Sequence, residues 1–404
     1  MLKIRHYSFS TSGGAGRVAQ QLNSLQMSEG VDSQLFTTTD GDIRNVYSSH
    51  PILFTKALTD FYLVRNDLTN PLFSLLRNGS SISSSNDTDD SSVVNHFHWT
   101  PGAIECESSF QNSPLVWTLH DMWPFTGGCH HSMSCEGFIE SCNGCPQVRK
   151  LFRNQVSASG ARKLGFVDSL KSFAAVAPSD WMAKTASRSQ VLRDKRIETI
   201  YNPVDDVFFE SNKRKMSRER LGIPRESFLI GTSAANLRDP IKGFSKLLKQ
   251  LTSVASRNPD KQFALLCIGE GSNFESRNNL QIINLGYLSN STEVASAMSI
   301  LDLFVSMATA DTAPLAIAEA LASGVPIACS NAGGMSECTD FGRNGVLIDD
   351  LYDFESFINA LAVDETLRRS CSENARKFAK SRYSSSVVIK RYTDLYIGLL
   401  KESI

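Results

Sequence analysis

The chain has 404 residues, of which 41% are hydrophobic and 21% are charged, and its formal net charge is −1. This length is enough for two domains with full cores. The near-zero charge gives no support for nucleic acid as the main partner. The first residues lack the apolar core of a signal peptide and no run reaches the roughly 20 apolar residues of a membrane span, so we expect a cytoplasmic protein.

The first half of the chain is predicted to alternate strands and helices. Leu2 to Tyr7 forms an opening strand, and a turn with Gly13, Gly14 and Gly16 leads into an amphipathic helix that starts near Arg17. Such a turn lets the backbone approach a ligand and points a helix N-terminus at it; a purely structural turn is the alternative. Further strands are predicted at 31–39, 93–99, 114–119 and 173–177, and helical patterns at 51–78.

Histidines stand at the ends of two of these strands. His96 and His98 lie at the end of the strand at 93–99, and His120 follows the strand at 114–119. Ligands gather beyond the carboxyl ends of the strands in parallel α/β sheets, so these side chains are site candidates. A structural role is the alternative for each of them.

Four cysteines crowd into the loop that follows His120. Cys142 and Cys145 have the two-residue gap of a zinc knuckle, whereas the gaps after Cys129 and Cys135 are wider than usual. Four thiolates suffice for a closed structural zinc site, and free thiols or a redox pair are the alternative. A metal here would brace the loop rather than catalyse, because a catalytic zinc keeps an open coordination position.

The second half restarts after Pro203, a stiff boundary, and again alternates strands and helices. Strands are predicted at 228–233, 262–269, 282–286 and 301–307, which gives a doubly wound α/β pattern. Lys242 stands where a helix opens, and there it can neutralise a diphosphate as a charged hydrogen-bond donor. A solvated lysine beside a helix start is the alternative.

The stretch 301–326 is predicted to form a strand, a tight loop and a short helix with Pro314 in its first turn. Glu319 is the charged exception in this apolar helix, and a ligand hydroxyl pair is a natural partner for it. An anion on the N–H groups at 312–315 and a sugar ring at Glu319 together match a nucleoside diphosphate. Alternatively, Glu319 pairs with a Lys or Arg, and Asp311 is a capping acid.

Two stretches resemble a known family. Asp311, seven residues and Glu319, followed by Ala-Leu-Ala-Ser-Gly-Val-Pro, resemble the E-x7-E signature of the retaining glycosyltransferases of family GT4, with Asp in place of the first Glu. Thr118 to His130, TLHDMWPFTGGCH, resembles a subset of GT4 enzymes from bacterial surface-polysaccharide gene clusters. The resemblance implies an α/β protein of the GT-B fold, with two Rossmann-like doubly wound domains facing a cleft.

The resemblance also implies the domain boundaries and the site. Residues 1–200 form an acceptor domain, 201–384 form the nucleotide-sugar donor domain, and a helix at 385–404 packs back on the first domain. The implied catalytic residues are His120 and Asp311, on the transferred sugar, and Glu319, on the ribose. Asn236 occupies the place of the family's phosphate-binding Arg, with Arg238 two residues on. The donor-binding set is Gly13, Gly14, Gly16, Asn236, Arg238, Lys242, Gly286, Tyr287, Thr312, Ala313, Leu315 and Glu319.

The function implied is transfer of a sugar, with retention, from a nucleotide-diphosphate sugar to a hydroxyl of a glycan or lipid-linked acceptor, without a catalytic metal. Exopolysaccharide, capsule or O-antigen biosynthesis is the implied setting. Asp311 and Asn236 favour one alternative, a catalytically weakened nucleotide-sugar-binding scaffold. A further hypothesis is that the protein makes a peripheral contact with the inner face of the membrane. The alternative is that the basic residues are simply a solvated part of the surface. The hypothesis rests on a basic face made of Arg149, Lys150, Arg153, Arg162 and Lys163.

Overall fold

The structure, a computed structural model, describes residues 2–37, 73–76, 89–101, 108–210, 216–271 and 274–403. The helical patterns predicted at 51–78 lie outside these residues, apart from 73–76. The chain divides into two compact units, which we call unit 1 (Met1–Tyr201 with Val388–Ile404) and unit 2 (Asn202–Val387). Each unit contains one parallel sheet of six strands.

The sheet of unit 1 has the strand order β2-β1-β3-β4-β5-β6, so the chain switches direction between β1 and β3. The central strands are almost wholly buried, as expected for parallel strands covered on both faces. The strands are β1 (Lys3–Tyr7), β2 (Asp32–Phe36), β3 (Val93–Phe97), β4 (Leu115–Thr118), β5 (Phe173–Ala177) and β6 (Ile197–Thr199).

The sheet of unit 2 has the order β12-β11-β10-β7-β8-β9. Counted from β7, this is the 3-2-1-4-5-6 order of a dinucleotide-binding sheet, with its switch point between β7 and β10. The strands are β7 (Phe228–Asn236), β8 (Phe263–Glu270), β9 (Leu280–Gly286), β10 (Leu303–Ser306), β11 (Ile327–Cys329) and β12 (Gly345–Leu347).

Helices connect the strands of both sheets and close the chain. Most of them bury an apolar stripe, as in α4, where Phe244, Leu247 and Leu251 face the core. The helices are α1 (Gly13–Ser28), α2 (Arg153–Ser169), α3 (Asp180–Ala186), α4 (Phe244–Arg257), α5 (Ser291–Met298), α6 (Leu315–Ala322), α7 (Leu351–Val363), α8 (Glu365–Tyr383) and α9 (Ser385–Glu402). Within the described ranges, no helix combines the length and the apolar character that crossing a membrane requires.

Several predicted element boundaries differ from the structure, among them those of α1, α6 and β7. The first helix begins at Gly13 and not near Arg17. Gly16 permits this start, because a Cβ there would lie 2.4 Å from the Ser10 carbonyl oxygen and would push the helix away from the loop. Pro314 precedes α6 as its N-cap, since its backbone is extended (φ −70°, ψ 101°). The strand β7 runs past its predicted end to Asn236, through an irregularity in its pairing with β8.

Candidate functional site

The switch point of unit 2 brings two predicted site residues together. Lys242 lies in the loop after β7, and Asp311 lies in the loop after the neighbouring strand β10. The Lys242 Nζ and Asp311 Oδ2 atoms are 3.1 Å apart, and the two side chains are 38% and 20% exposed. The crevice outside the carboxyl ends of the strands at such a point is the usual ligand position in open α/β sheets.

The loop after β7 is held in place by backbone contacts. Lys242 ends the short 3-10 turn Pro240–Lys242, which Asp239 caps by accepting a hydrogen bond of 2.9 Å from the Ile241 N–H. Gly243 follows with φ +69°, and a Cβ there would lie 1.8 Å from the Met307 carbonyl oxygen. Glycine at this position therefore lets the Lys242 turn lie directly on the end of β10.

The Asp311 backbone is braced from a third loop, after β11. The Gly334 N–H donates a hydrogen bond of 3.0 Å to the Asp311 carbonyl oxygen. Gly333 has φ +59°, and a Cβ there would lie 1.9 Å from the same oxygen. The sequence analysis missed this role of Gly333, although a glycine pair shortly after a strand was the available signal.

The charge of Asp311 raises the pKa of Lys242 above its ordinary value, although burial acts in the opposite direction. Lys242 is therefore a protonated cation that is paired with Asp311 and remains partly exposed. Asp311 does not hold the N-cap of α6, which belongs to Pro314, so the capping-acid alternative is wrong. The pair places one positive and one negative group at the same point of the crevice.

The start of α6 follows Asp311 directly. Thr312 is buried, and Ala313 and Leu315 are half-buried. Glu319 lies four residues after Leu315, so the two side chains share one face of the helix. Glu319 is half-buried, whereas the residue on either side of it is buried. The carboxylate of this apolar helix is thus on its accessible face.

The other predicted donor residues of unit 2 lie on neighbouring loops. The exposed Asn236 side chain accepts a hydrogen bond of 2.9 Å from the Arg238 N–H. The Arg238 guanidinium donates to the Gly271 carbonyl, 3.2 Å away, in the loop after β8. Gly286, with φ +71°, ends β9, and Tyr287 beyond it is 57% exposed. Since β8 separates β9 from β7, these two residues are not adjacent to the switch point.

The switch point of unit 1 carries a layer of buried histidines. His6 on β1 is paired in register with His96 on β3, and His98 lies two residues further along the same strand direction. Alternation along parallel strands puts these rings, Thr118 and His120 on one face of the sheet. The sequence analysis identified His96, His98 and His120 but missed His6, because its strand, Lys-Ile-Arg-His-Tyr, is itself mostly polar and the histidine does not stand out in it.

Hydrogen bonds link these rings into a chain that ends at His120. The Gln26 amide oxygen lies 2.8 Å from His6 Nε2 and accepts a hydrogen bond from its N–H group. In the neutral His6 ring, Nδ1 is therefore the hydrogen-bond acceptor. His98 Nε2, 2.9 Å from His6 Nδ1, is then the donor, and His98 Nδ1 accepts from His120 Nε2 at 3.1 Å. This polarity leaves Nδ1 as the acceptor nitrogen of the neutral His120 ring.

The helix α9 completes the same network. Gln26 Nε2 donates to Tyr396 Oη at 3.4 Å, and Tyr396 Oη lies 2.8 Å from His96 Nδ1. His96 Nε2 lies 2.7 Å from Thr118 Oγ1. Helical spacing on α9 was visible in the sequence, but a partner 300 residues away was not.

Burial keeps these rings neutral. It lowers the pKa of His6 to about 4 and that of His120 to about 4, and it lowers the pKa values of His96 and His98 as well. A neutral His120 donates through one nitrogen and accepts through the other, so it is suited to hydrogen-bond a hydroxyl group rather than to attract an anion by charge.

Asp121 fixes the loop that follows His120. Its Oδ2 atom accepts from Trp99 Nε1 at 2.7 Å and lies 2.6 Å from His130 Nδ1, and its Oδ1 atom accepts from the Trp123 N–H at 2.8 Å. Burial opposes ionisation of Asp121, but these partners, His130 foremost, hold its pKa below the ordinary value. Asp121 is therefore a structural anchor for the loop.

The glycine turn of unit 1 is the first turn of α1. Gly13 and Gly14 are exposed, and Gly13 has φ +72°. The N-cap Ser12 makes no side-chain capping hydrogen bond. The first N–H groups of α1 are thus offered by residues without side chains, as an anion-binding helix start requires.

The proposed basic face for a membrane needs one correction. Lys163 is buried and donates hydrogen bonds to the Trp123 and Thr126 carbonyl oxygens, at 2.6 and 3.0 Å, so it is a structural residue of the core. Arg149, Lys150 and Arg162 are exposed.

Two family models match the chain, one covering most of unit 1 and the first residues of unit 2, the other lying within unit 2. A model described as Glycosyltransferase Family 4 matches residues 12–208, and a model described as Glycosyl transferases group 1 matches residues 229–364. The chain belongs to the GT4-type glycosyltransferases of the GT-B fold. The family predicted from Thr118–His130 and Asp311–Glu319 is confirmed.

Curated relatives of this GT4-type chain include two bacterial enzymes. N-acetyl-alpha-D-glucosaminyl L-malate synthase of Bacillus anthracis is 25% identical over 221 residues, 52% of this chain and 55% of that protein. UDP-Gal:alpha-D-GlcNAc-diphosphoundecaprenol alpha-1,3-galactosyltransferase of Escherichia coli is 28% identical over 221 residues, 51% of this chain and 55% of that protein. The chain thus spans about half the length of these two relatives.

Solved structures agree with the fold of this GT4-type protein. Anabaena HepE in complex with UDP-glucose aligns with a TM-score of 0.61 at 16% identity, over 99% of this chain and 100% of that one. Sucrose-phosphate synthase from Thermosynechococcus elongatus aligns with a TM-score of 0.63 at 14% identity, over the same shares. The predicted fold class, two Rossmann-like α/β domains of the GT-B type, is confirmed.

Proposed function

We propose that this protein is a retaining glycosyltransferase that moves a sugar from a nucleotide-diphosphate sugar to a hydroxyl of a glycan or lipid-linked acceptor. The observation that carries the proposal is the Lys242–Asp311 pair at the switch point of unit 2, directly before α6. The similar Anabaena HepE binds UDP-glucose in its crystal structure, which supports a nucleotide sugar as the donor.

The chemistry requires stabilisation of a leaving diphosphate. The bond from C1 of the sugar to the diphosphate oxygen breaks, the acceptor hydroxyl oxygen bonds to C1, and the hydroxyl proton leaves with the released diphosphate. Lys242 and the backbone N–H groups of Thr312, Ala313 and Leu315 stabilise the charge that develops on the diphosphate. No metal ion is needed for this step in our proposal.

The remaining residues orient the donor. Glu319, on the accessible face of α6, accepts hydrogen bonds from the ribose hydroxyls, and Asp311 accepts from a hydroxyl of the transferred sugar. His120 contacts the sugar through Nδ1, the acceptor nitrogen that its hydrogen bond to His98 defines. Gln26 and His6 then act as positioning residues, because they fix the tautomer of His120 through His98.

The biological setting we propose is the biosynthesis of a bacterial surface polysaccharide, such as an exopolysaccharide, capsule or O-antigen. The Escherichia coli relative, by its name, acts on a sugar linked to diphosphoundecaprenol, which supports a lipid-linked acceptor. We propose that the exposed Arg149 and Lys150 make a peripheral contact with an anionic membrane surface, whereas the Arg162 guanidinium donates to the Leu76 carbonyl oxygen.

A donor panel tests this function against the scaffold alternative. UDP-, GDP- and ADP-sugars are incubated with the protein, with and without a chelator, and both binding and release of nucleoside diphosphate are measured. We expect one donor to be hydrolysed slowly at a rate that the chelator leaves unchanged. NMR of the initial product should show the anomeric configuration of the donor. Binding without turnover would establish a scaffold, and an inverted product would refute retention.

A further inference from the structure

The loop from Cys129 to Cys145, which we call the cysteine loop, surrounds a cavity that the proposed transfer reaction does not use. This cavity has a volume of about 260 Å³, and Cys129, Cys135, Cys142 and Cys145 all line it. All four are free thiols. The rest of the lining is mainly backbone and apolar side chains, including Phe73. Four cysteines separated by up to 16 positions in sequence therefore line one cavity.

The backbone around these cysteines has the features of a metal-binding knuckle. Cys142 and Gly144 both have left-handed backbones, with φ of +53° and +75°, which turns Cys142 and Cys145 toward the same cavity. The Gly127 N–H donates to Cys142 Sγ at 3.1 Å, and the Gly137 N–H donates to Cys135 Sγ at 3.4 Å. Backbone N–H groups directed at sulfur stabilise thiolates, and thiolates are the form that binds metal.

The histidine layer of unit 1 is the competing candidate for a metal. Among the residues that the structure describes, His6, His96 and His98 are the group whose three ligand atoms lie within 4.8 Å of one another. All six of their ring nitrogens have hydrogen-bond partners, namely Gln26, Tyr396, Thr118, His120 and one another. A metal would have to break this network, so the histidine layer carries no metal proposal.

The cysteine loop has room to close on an ion. A tetrahedral site with zinc–sulfur bonds of about 2.3 Å places its sulfurs about 3.8 Å apart. Among the described residues, no three of these four sulfurs lie within 4.8 Å of one another, so they are more widely spaced than the ligands of a zinc site. The cavity provides the space for the sulfurs to approach one another, and Met133, Ser134, Asn143 and Gly144, which lie between the cysteines in sequence, are exposed to solvent.

We propose that Cys129, Cys135, Cys142 and Cys145 bind one structural Zn²⁺. With four protein ligands the site is closed, so the ion braces the loop and does not catalyse. The ion would also help to hold Asp121, the anchor of the preceding loop. His130 directly follows Cys129 in the chain, and its Nδ1 atom lies 2.6 Å from Asp121 Oδ2. The proposal is independent of the transfer reaction, since none of these cysteines belongs to the proposed donor site.

Metal analysis of the purified chain tests the proposal. We expect about one zinc per chain, released when a mercurial blocks the thiols. Cys142→Ser and Cys145→Ser should lose at least half of the zinc, whereas Cys371→Ser, a buried cysteine of α8, should keep all of it. Equal zinc content in the Cys142→Ser, Cys145→Ser and Cys371→Ser proteins would overturn the proposal.

If the cysteine variants fail to fold, two measurements on the native protein still test the proposal. Protein produced with cobalt in place of zinc should show the intense visible absorption of tetrahedral Co²⁺ and the near-ultraviolet charge-transfer band of cobalt–thiolate bonds. Peptide mapping under non-reducing conditions should find none of the four cysteines in a disulfide. Octahedral, weakly absorbing cobalt, or a disulfide between any two of the four, would refute a four-thiolate site.

Discussion

Replacing Lys242 with Met separates a phosphate-binding role from a merely structural ion pair. The substitution keeps most of the side-chain volume and removes the charge that pairs with Asp311 across 3.1 Å. Because both side chains are partly exposed, the pair contributes at most about 1 kcal/mol to the free energy of unfolding. A charge-assisted hydrogen bond to a diphosphate is larger, about 1.5–3 kcal/mol. We therefore expect the affinity for the nucleoside diphosphate to fall by about 10- to 150-fold.

Calorimetric titration with the nucleoside diphosphate, together with thermal unfolding, checks this expectation. The matched control is Lys246→Met, which removes an exposed lysine of α4 one turn further along the chain and should bind like the native protein. Asp311→Asn removes the other partner and should leave diphosphate affinity intact or raise it. If Lys242→Met binds the diphosphate as well as Lys246→Met does, Lys242 is a structural residue and the phosphate-binding argument is wrong.

Two further predictions concern the histidine layer and the glycine brace. Because burial lowers the pKa values of His6 and His120 from 6.5 to about 4, the unfolded chain binds protons that the folded chain excludes in this range. Chemical denaturation should show that the free energy of unfolding decreases as the pH is lowered from 6.5 toward 4, by about 1.4 kcal/mol per pH unit for each histidine. A free energy of unfolding that does not change with pH in this range would contradict the prediction. Gly333→Ala should lower turnover at least tenfold by displacing Asp311. The control Gly342→Ala, at φ +89° with open space around it, should not lower turnover. Equal activities of the two variants would show that Gly333 does not hold Asp311 in place.

Much of the architecture was predictable from the sequence because several buried strands, such as β5 and β8, are short apolar runs. Lys242 and Asp311 were each assigned to the end of a strand. The two residues are 69 positions apart, and their contact depends on β7 lying beside β10, which no local pattern specifies. The brace from Gly333 to Asp311 was missed for the same reason.

The errors in element boundaries came from tertiary packing. Glycine is a poor helix former, so the helix was predicted to begin only after Gly16. In the structure, close packing of Gly16 on the Ser10 carbonyl outweighs that propensity. Gln26 gave no sequence signal at all, because its role depends on contacts with His6 and Tyr396, which come from opposite ends of the chain.

The most direct test of the central claim is turnover of the donor identified in the panel by Glu319→Ala, compared with Glu293→Ala, which removes an exposed glutamate of α5. Loss of charge-assisted hydrogen bonds of about 1.5–3 kcal/mol to the ribose predicts a 10- to 150-fold lower kcat/KM for Glu319→Ala. Glu293→Ala should match the native enzyme. If Glu319→Ala releases nucleoside diphosphate at the native rate and with the native KM, the donor site is not at α6, and the account of this site is wrong.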